Sequence, residues 1–242
     1  MNQRTFQFDG QWNIVYYPDR PSGFAIMIIG DKNHFVDEKS SFWLQHPGRE
    51  QILNQLKTAG YTLYSSNLYG ANWGSEKSVF LAKRLHHLIM KSEILNERIH
   101  IFAEGTGALT ALKLMKLLKG NLRSAVFLNP CLSLNELIQK EKDRKFFLNR
   151  LKGELSKAYE LDTDKKELFL NSTHPEYLDI NVPLKIIHVL GTGGEDQSHL
   201  YKRLVDNVKD DVSVEIQYLL AEKRYKIAAQ ARQFFKKYED IL

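Results

Sequence analysis

The stretch that most constrains the fold is an apolar strand pattern that turns, through small residues, directly into a helix pattern. Residues 98–103 have the strand pattern, Ala103-Glu104-Gly105-Thr106-Gly107-Ala108 form the turn, and residues 109–118 have helical spacing. Strands that lead straight into amphipathic helices are the repeating unit of sheets covered by helices on both faces. The sequence therefore predicts an α/β fold, with this turn at the carboxyl edge of the sheet, where such folds bind ligands.

The rest of the chain continues the alternation of strand and helix patterns. A hairpin is expected around Asp9-Gly10, and Gly60 marks the end of a helix. The strands are predicted at residues 5–8, 12–17, 23–29, 62–66, 98–103, 124–129, 184–190 and 213–219. Helices are predicted at residues 49–59, after Ser75, and at 109–118, 198–207 and 225–242. This order predicts a doubly wound, mostly parallel sheet in a single domain, residues 1–242.

One segment interrupts the alternation. Residues 132–169 are rich in charge, contain no proline, and place apolar side chains at helical spacing, for example Leu134, Leu137 and Ile138. The pattern predicts a helical cap insertion, residues 132–180, that lies over the sheet. Its mixed charges indicate a helical face that is exposed to solvent. A docking surface for a protein partner is the second interpretation.

Composition excludes several classes of function. The chain has 242 residues, of which 43% are hydrophobic, so it can bury a large core without disulfide bonds or structural metal ions. Its single cysteine excludes an internal disulfide and a cysteine-cluster zinc site. The net charge of +5 is too small, and too evenly distributed, to indicate nucleic-acid binding. No apolar run approaches 18 residues and no leader pattern opens the chain, so we expect a soluble, cytoplasmic protein without a membrane segment.

Three stretches together resemble the α/β-hydrolase family over nearly the whole chain. Residues 24–31 are similar to the strand that ends in a His-Gly pair, with Ile29 in place of the histidine. Residues 59–75 are similar to the family's Gly-Tyr strand and the Asp-x-x-Gly-x-x-x-x-Ser motif that follows it, with Asn67 in place of the aspartate. Residues 103–108 resemble the Gly-Glu-Ser-Ala-Gly-Ala turn of esterases, called the nucleophile elbow.

The resemblance implies the family's fold but changes the expected chemistry. Gly105 stands where the elbow carries its serine, and small residues two positions before and after it, Ala103 and Gly107, fix this register. Centring the elbow on Thr106 instead would put Glu104 at a crowded position. The resemblance therefore implies a hydrolase scaffold without the nucleophile.

The other two members of the catalytic triad can be sought by chain order. Asp196 follows the strand predicted at 184–190 and matches the acid. The histidine is expected near residues 221–225, but the chain has no histidine after His199. A triad without hydroxyl and imidazole cannot relay a proton to a serine. We therefore expect a pseudoenzyme with a degenerate triad and no catalytic residues.

Four residues are candidates for ligand binding: Asp31, Gly105, Thr106 and Asp196. The backbone N–H groups of Thr106 and of the loop after Gly30 can bind an anion at the start of a helix. The expected partner is a small apolar or acyl-bearing ligand in the former pocket, or a protein docked on the cap. A third possibility is an interaction scaffold whose pocket is filled.

Two of these four residues also have a purely structural interpretation. Gly105 suits a strained turn with positive φ, and Asp196 is placed to cap the helix near Ser198. The alternative enzyme is a carboxylic-ester or thioester hydrolase in which Asp196 activates water, with Thr106 and the Gly30 loop as oxyanion donors. No cofactor and no metal is implied: the Gly191-Thr192-Gly193-Gly194 run lacks the spacing of nucleotide-binding motifs.

Overall fold

The structure is a computed structural model that describes residues 3–161, 180–191, 196–208 and 212–239. Within these ranges, eight strands form one sheet. Their bounds are β1 Gln3–Phe8, β2 Gln11–Tyr16, β3 Ala25–Ile29, β4 Thr62–Ser66, β5 Ile99–Glu104, β6 Leu122–Leu128, β7 Leu184–Val189 and β8 Val214–Leu219. The spatial order is β1-β2-β4-β3-β5-β6-β7-β8. β1 and β2 pair antiparallel, as do β2 and β4, while all later neighbours pair parallel. The prediction of a mostly parallel sheet is confirmed.

Helices cover both faces of this sheet. They are α1 Phe42–Gln45, α2 Pro47–Thr58, α3 Glu76–Ser92, α4 Gly107–Leu117, α5 Leu134–Lys140, α6 Lys145–Ala158, α7 Leu200–Asn207 and α8 Ile227–Lys236. One apolar cluster joins α3, α4 and α7 to one face of the sheet, and a second joins α2 and α8 to the other. Burying both faces explains why the central strands read as continuous apolar runs rather than as alternating ones.

Two local differences from the sequence prediction have simple causes. The short helix α1 was not predicted because four residues are too few to show a helical period. The last helix begins at Ile227 rather than at residue 225, because a 3-10 helix over Ala221–Lys226 precedes it. The tighter 3-10 turn carries the chain from β8 into α8.

Two helices of the predicted insertion are described, α5 and α6, while residues 162–179 lie outside the described residues. Their apolar faces pack in a third cluster around Trp73, Leu109 and Cys131. Cys131 follows β6, so the insertion is fixed beside the carboxyl edge of the sheet. Among the described helices, none is long and apolar enough to cross a lipid bilayer.

Candidate functional site

The turn between β5 and α4 is as crowded as its small residues indicate. Gly105 has a φ of +55°, in the left-handed region that favours glycine. A Cβ added to Gly107 would collide with the carbonyl oxygens of Ile29 and Gly30 at the end of β3. The expected close contact of strand and helix is thus present, with Gly105 at the apex of the turn.

The space of a side chain at position 105 is taken by Asp31. A Cβ built on Gly105 would lie 2.6 Å from both Cγ and Oδ1 of the Asp31 side chain. The same Oδ1 accepts hydrogen bonds from the backbone N–H of Thr106, at 2.9 Å, and from its hydroxyl group, at 2.7 Å. A carboxylate therefore occupies the position from which an elbow serine would act.

The donors expected to hold an anion at this turn are engaged by the protein itself. The N–H of Thr106 binds Asp31, and the N–H of Lys32 donates to Thr106 Oγ1 at 2.9 Å. The N–H of Asp31 donates to His34 Nδ1 at 3.0 Å. In α/β-hydrolases the oxyanion hole is made by the N–H after the nucleophile and by an N–H of the loop after β3. Here the Asp31 carboxylate fills that place, which corrects the expectation of a vacant anion site.

A cavity of about 430 Å³ opens beside this turn, at the carboxyl edge of the sheet. Asp31, Gly105 and Asp196 all line it, whereas Thr106 is buried behind Asp31. The other described residues in the wall are Lys32, His46, Arg49, Glu104, Leu128, Asn129, Pro130, Cys131, His188, Val189, Gln197, Tyr201, Arg224 and Ile227. Within the described chain, no side chain of α5 or α6 enters this wall, so the two insertion helices leave the cavity open.

Opposite charges pair on one side of the cavity. Arg49, at the start of α2, donates from Nε to Oε2 of Glu104 at 3.0 Å, and its Nη2 binds Oε1 of the same carboxylate. Glu104 is the last residue of β5, and its side chain is 7% exposed. This two-pronged contact neutralises a nearly buried carboxylate and holds the start of α2 against the end of β5.

Asp196 does not cap the helix as its position suggested, since α7 begins at Leu200 after His199 without a side-chain cap; it stabilises the turn before the helix and lies near a histidine. Its Oδ1 accepts the N–H of Ser198 at 2.8 Å and lies 3.8 Å from Nε2 of His188. Burial alone would raise the pKa of Asp196, but the hydrogen bonds from Ser198 and the charges of His188 and Lys140 lower it below its usual value. Asp196 is therefore a stable carboxylate and a weak base.

His188 is the site residue that the sequence analysis missed. It lies within β7, before Asp196 in the chain, whereas the family order places a histidine after the last strand. Its Nδ1 is 3.0 Å from the hydroxyl of Tyr201. Burial, followed by the charge of Asp196, raises the pKa of that phenol, so Tyr201 is not an activated nucleophile.

Arg224 occupies the segment where the family carries its histidine. It belongs to the 3-10 helix after β8 and lines the cavity with an exposed side chain. A guanidinium stays protonated at any physiological pH, so it cannot serve as a general base. The described part of the chain also contains no group of three or more side chains that could hold a metal ion.

Gln197, next to Asp196, ties the cavity wall to the insertion. Its Oε1 accepts the N–H groups of Leu132 and Ser133 at 2.7 and 2.9 Å, and its Nε2 donates to the Ser133 carbonyl. These contacts join the loop after β7 to the segment that leads into α5. Neither residue type nor spacing signals this role, because the partners lie 64 residues apart or more.

No protein-family model matches the chain, and no curated protein sequence matches it. Solved structures do match over almost the whole chain. Est1E from Butyrivibrio proteoclasticus has a TM-score of 0.71 at 10% identity, covering 98% of this chain and 99% of its own. An alpha/beta hydrolase enzyme from the metagenome of sediments of the Mar Chica lagoon, Morocco, has a TM-score of 0.61 at 13% identity, covering 98% and 100%. The chain has the α/β-hydrolase fold.

A further structure similar to this α/β-hydrolase-fold protein is a puromycin-hydrolyzing peptidase of Mycobacterium tuberculosis. It has a TM-score of 0.74 at 12% identity, and the match covers 99% of this chain but only 40% of the peptidase chain. At such identities the likeness extends to the fold alone, because this fold supports many unrelated functions.

Proposed function

We propose that this α/β-hydrolase-fold protein is a pseudoenzyme that binds a small ligand in the cavity beside Gly105. The observation that carries the proposal is the contact between Asp31, Gly105 and Thr106. A glycine replaces the serine, and a carboxylate takes both the space of the nucleophile and the N–H that would stabilise an oxyanion. A negative charge at that point opposes the negative charge that develops in ester hydrolysis.

The open cavity supports binding rather than a purely structural role. Its volume of about 430 Å³ lies within the range typical of small-molecule sites. Apolar side chains such as Leu128, Val189 and Ile227 give it surface for an alkyl or acyl group. A filled pocket, expected for an interaction scaffold, would have no such space. A protein partner for the insertion stays a prediction, with Phe146 and Phe147 as its exposed aromatic side chains.

The competing proposal is a hydrolase that uses Asp196 and His188 to activate water. The 3.8 Å contact of the two side chains is the observation in its favour. Two observations oppose it. The lowered pKa of Asp196 makes this carboxylate a weak base, and the N–H of Thr106 already donates to Asp31, so it cannot stabilise an oxyanion at the elbow.

The test is turnover of p-nitrophenyl acetate, butyrate and hexanoate by the full-length protein. We expect the wild type to release nitrophenol no faster than Asp196→Asn, His188→Gln or an equal mass of serum albumin. Gly105→Ser should stay equally inert, because the added side chain meets Asp31 and no imidazole follows β8. Wild-type turnover that exceeds the albumin blank and disappears in Asp196→Asn would establish the competing hydrolase instead.

A further inference from the structure

The three carboxylates that the structure describes in the cavity wall already accept hydrogen bonds from the protein. Asp31 accepts two hydrogen bonds from Thr106, and Glu104 is bound by two nitrogens of Arg49. Asp196 accepts the N–H of Ser198 and lies near His188. A ligand that offers a positive charge would therefore compete with contacts that the protein already makes.

Arg224 and His46, two other side chains of the cavity wall, keep donor groups available. Arg224 lines the wall, and its guanidinium makes no hydrogen bond or ion pair with any residue that the structure describes. Five N–H groups in a planar fork match a carboxylate or phosphate. His46 uses Nδ1 to accept the N–H of Gly48 at 3.2 Å, which makes Nε2 the protonated, donating nitrogen of the neutral ring.

An apolar wall adjoins these donors. Leu128, Pro130, Val189 and Ile227 contribute carbon surface to the same cavity. Available hydrogen-bond donors beside an apolar wall favour a ligand that has a negative head group and an alkyl chain.

We propose that the cavity binds a small organic anion, a carboxylate or phosphate monoester with a short alkyl chain, whose head group pairs with Arg224. The inference rests on the proposed ligand-binding function and specifies the ligand class. The anion lies at Arg224, away from the helix start, since the Asp31 carboxylate already fills the anion position at Thr106.

The experiment is isothermal titration calorimetry of the full-length protein with four probes of equal chain length: hexanoate, hexyl phosphate, hexan-1-ol and hexylamine. We expect hexanoate and hexyl phosphate to bind about tenfold or more tightly than the alcohol and the amine, since a hydrogen bond to a charged group contributes more than a neutral one. The ratio between the two anions distinguishes a carboxylate site from a phosphate site.

The variants are Arg224→Gln and, as a matched control, Lys223→Gln, its exposed neighbour outside the cavity wall. Arg224→Gln should weaken both anions about tenfold or more, while Lys223→Gln should change them less than about twofold. Both sites are exposed, so neither variant threatens folding.

Three outcomes would overturn the inference: amine or alcohol affinity equal to that of the anions, unchanged anion binding by Arg224→Gln, or no binding of any probe. Hydrolysis of p-nitrophenyl hexanoate, measured on the same preparation, would instead refute the proposed function while leaving the anion preference to stand on the calorimetry.

Discussion

At Gly105 two separate constraints exclude a side chain. The φ of +55° disfavours any residue with a Cβ, and the added carbon would meet the Asp31 carboxylate at 2.6 Å. The second constraint comes from the Asp31 side chain, which stands in the space that a side chain at position 105 would take. Glycine at this position is therefore a structural requirement of the Asp31 contact with Thr106.

The change Gly105→Ala should lower the free energy of unfolding by about 1–3 kcal/mol, the cost of a strained backbone position with an added steric contact. The matched control is Gly153→Ala in α6, where an added Cβ meets nothing within 4 Å. That variant should raise the stability by about 0.5–1 kcal/mol, because alanine favours helix interiors. Urea unfolding followed by circular dichroism measures both.

A second variant separates the two constraints at Gly105. In an Asp31→Ala background the carboxylate is gone, so Gly105→Ala should cost less than it does in the wild type. Equal costs in the two backgrounds would show that Asp31 does not occupy the space of the missing side chain.

The sequence predicted the crowded turn around Gly105 but not the side chain that fills the space beside it. Ala103, Gly105 and Gly107 could be placed because steric crowding at a strand-to-helix turn is local. The contact of Asp31 with Thr106 joins residues 75 positions apart, and no local pattern encodes which of several polar loop residues reaches across. Its occupation of the oxyanion position therefore emerged only from the fold.

Among the elements, the strands were predicted well because their apolar runs are long and bounded by turn residues. β5 was expected at residues 98–103 and spans Ile99–Glu104, and β7 was expected at 184–190 and spans Leu184–Val189. His188 was missed because β7 is buried on both faces. A strand without polar alternation does not show which of its side chains faces a cavity.

The far end of β5 holds a buried histidine that links this strand to the C-terminal segment. His100 is fully buried, its Nδ1 lies 2.8 Å from Ser124 Oγ, and its Nε2 is 4.0 Å from Glu239 without a hydrogen bond. Burial, followed by the charge of Arg123, lowers the pKa of His100 from 6.5 to about 3.

This lowered pKa predicts how stability depends on pH. Below pH 6.5 the unfolded chain takes up a proton at His100 that the folded protein does not, so the free energy of unfolding falls as the pH falls towards 3. Each pH unit in that window costs about 1.4 kcal/mol from this group, or about 2 kcal/mol between pH 6.5 and 5.

Urea unfolding at pH 7.5 and pH 5.0 measures the effect. His100→Gln should be less stable than the wild type at pH 7.5, yet should lose about 2 kcal/mol less on going to pH 5.0, since it lacks the titrating group. Parallel losses in the two proteins would mean that His100 takes up a proton as readily in the folded protein as in the unfolded chain, so that burial does not lower its pKa.

For the molecule as a whole, the fold places a cavity at the carboxyl edge of the sheet. The sheet order places β3, β5, β6 and β7 side by side, so their carboxyl ends meet at one site. Sequence patterns predicted this architecture because it depends on burial, which is spread over many residues. The proposed ligand preference rests on a few side chains instead, above all on Arg224, which lines the cavity in the segment of the expected histidine.

We infer that the cavity contains no activated nucleophile, and covalent labelling with a reagent for such groups is the decisive measurement. The full-length protein is incubated with a fluorophosphonate, beside an active serine esterase as a positive control, and the intact masses are measured. We expect an unmodified mass for this protein and a single adduct on the esterase. A stoichiometric adduct that maps to a cavity residue, such as Tyr201, or to Thr106 behind it, would show that an activated nucleophile is present.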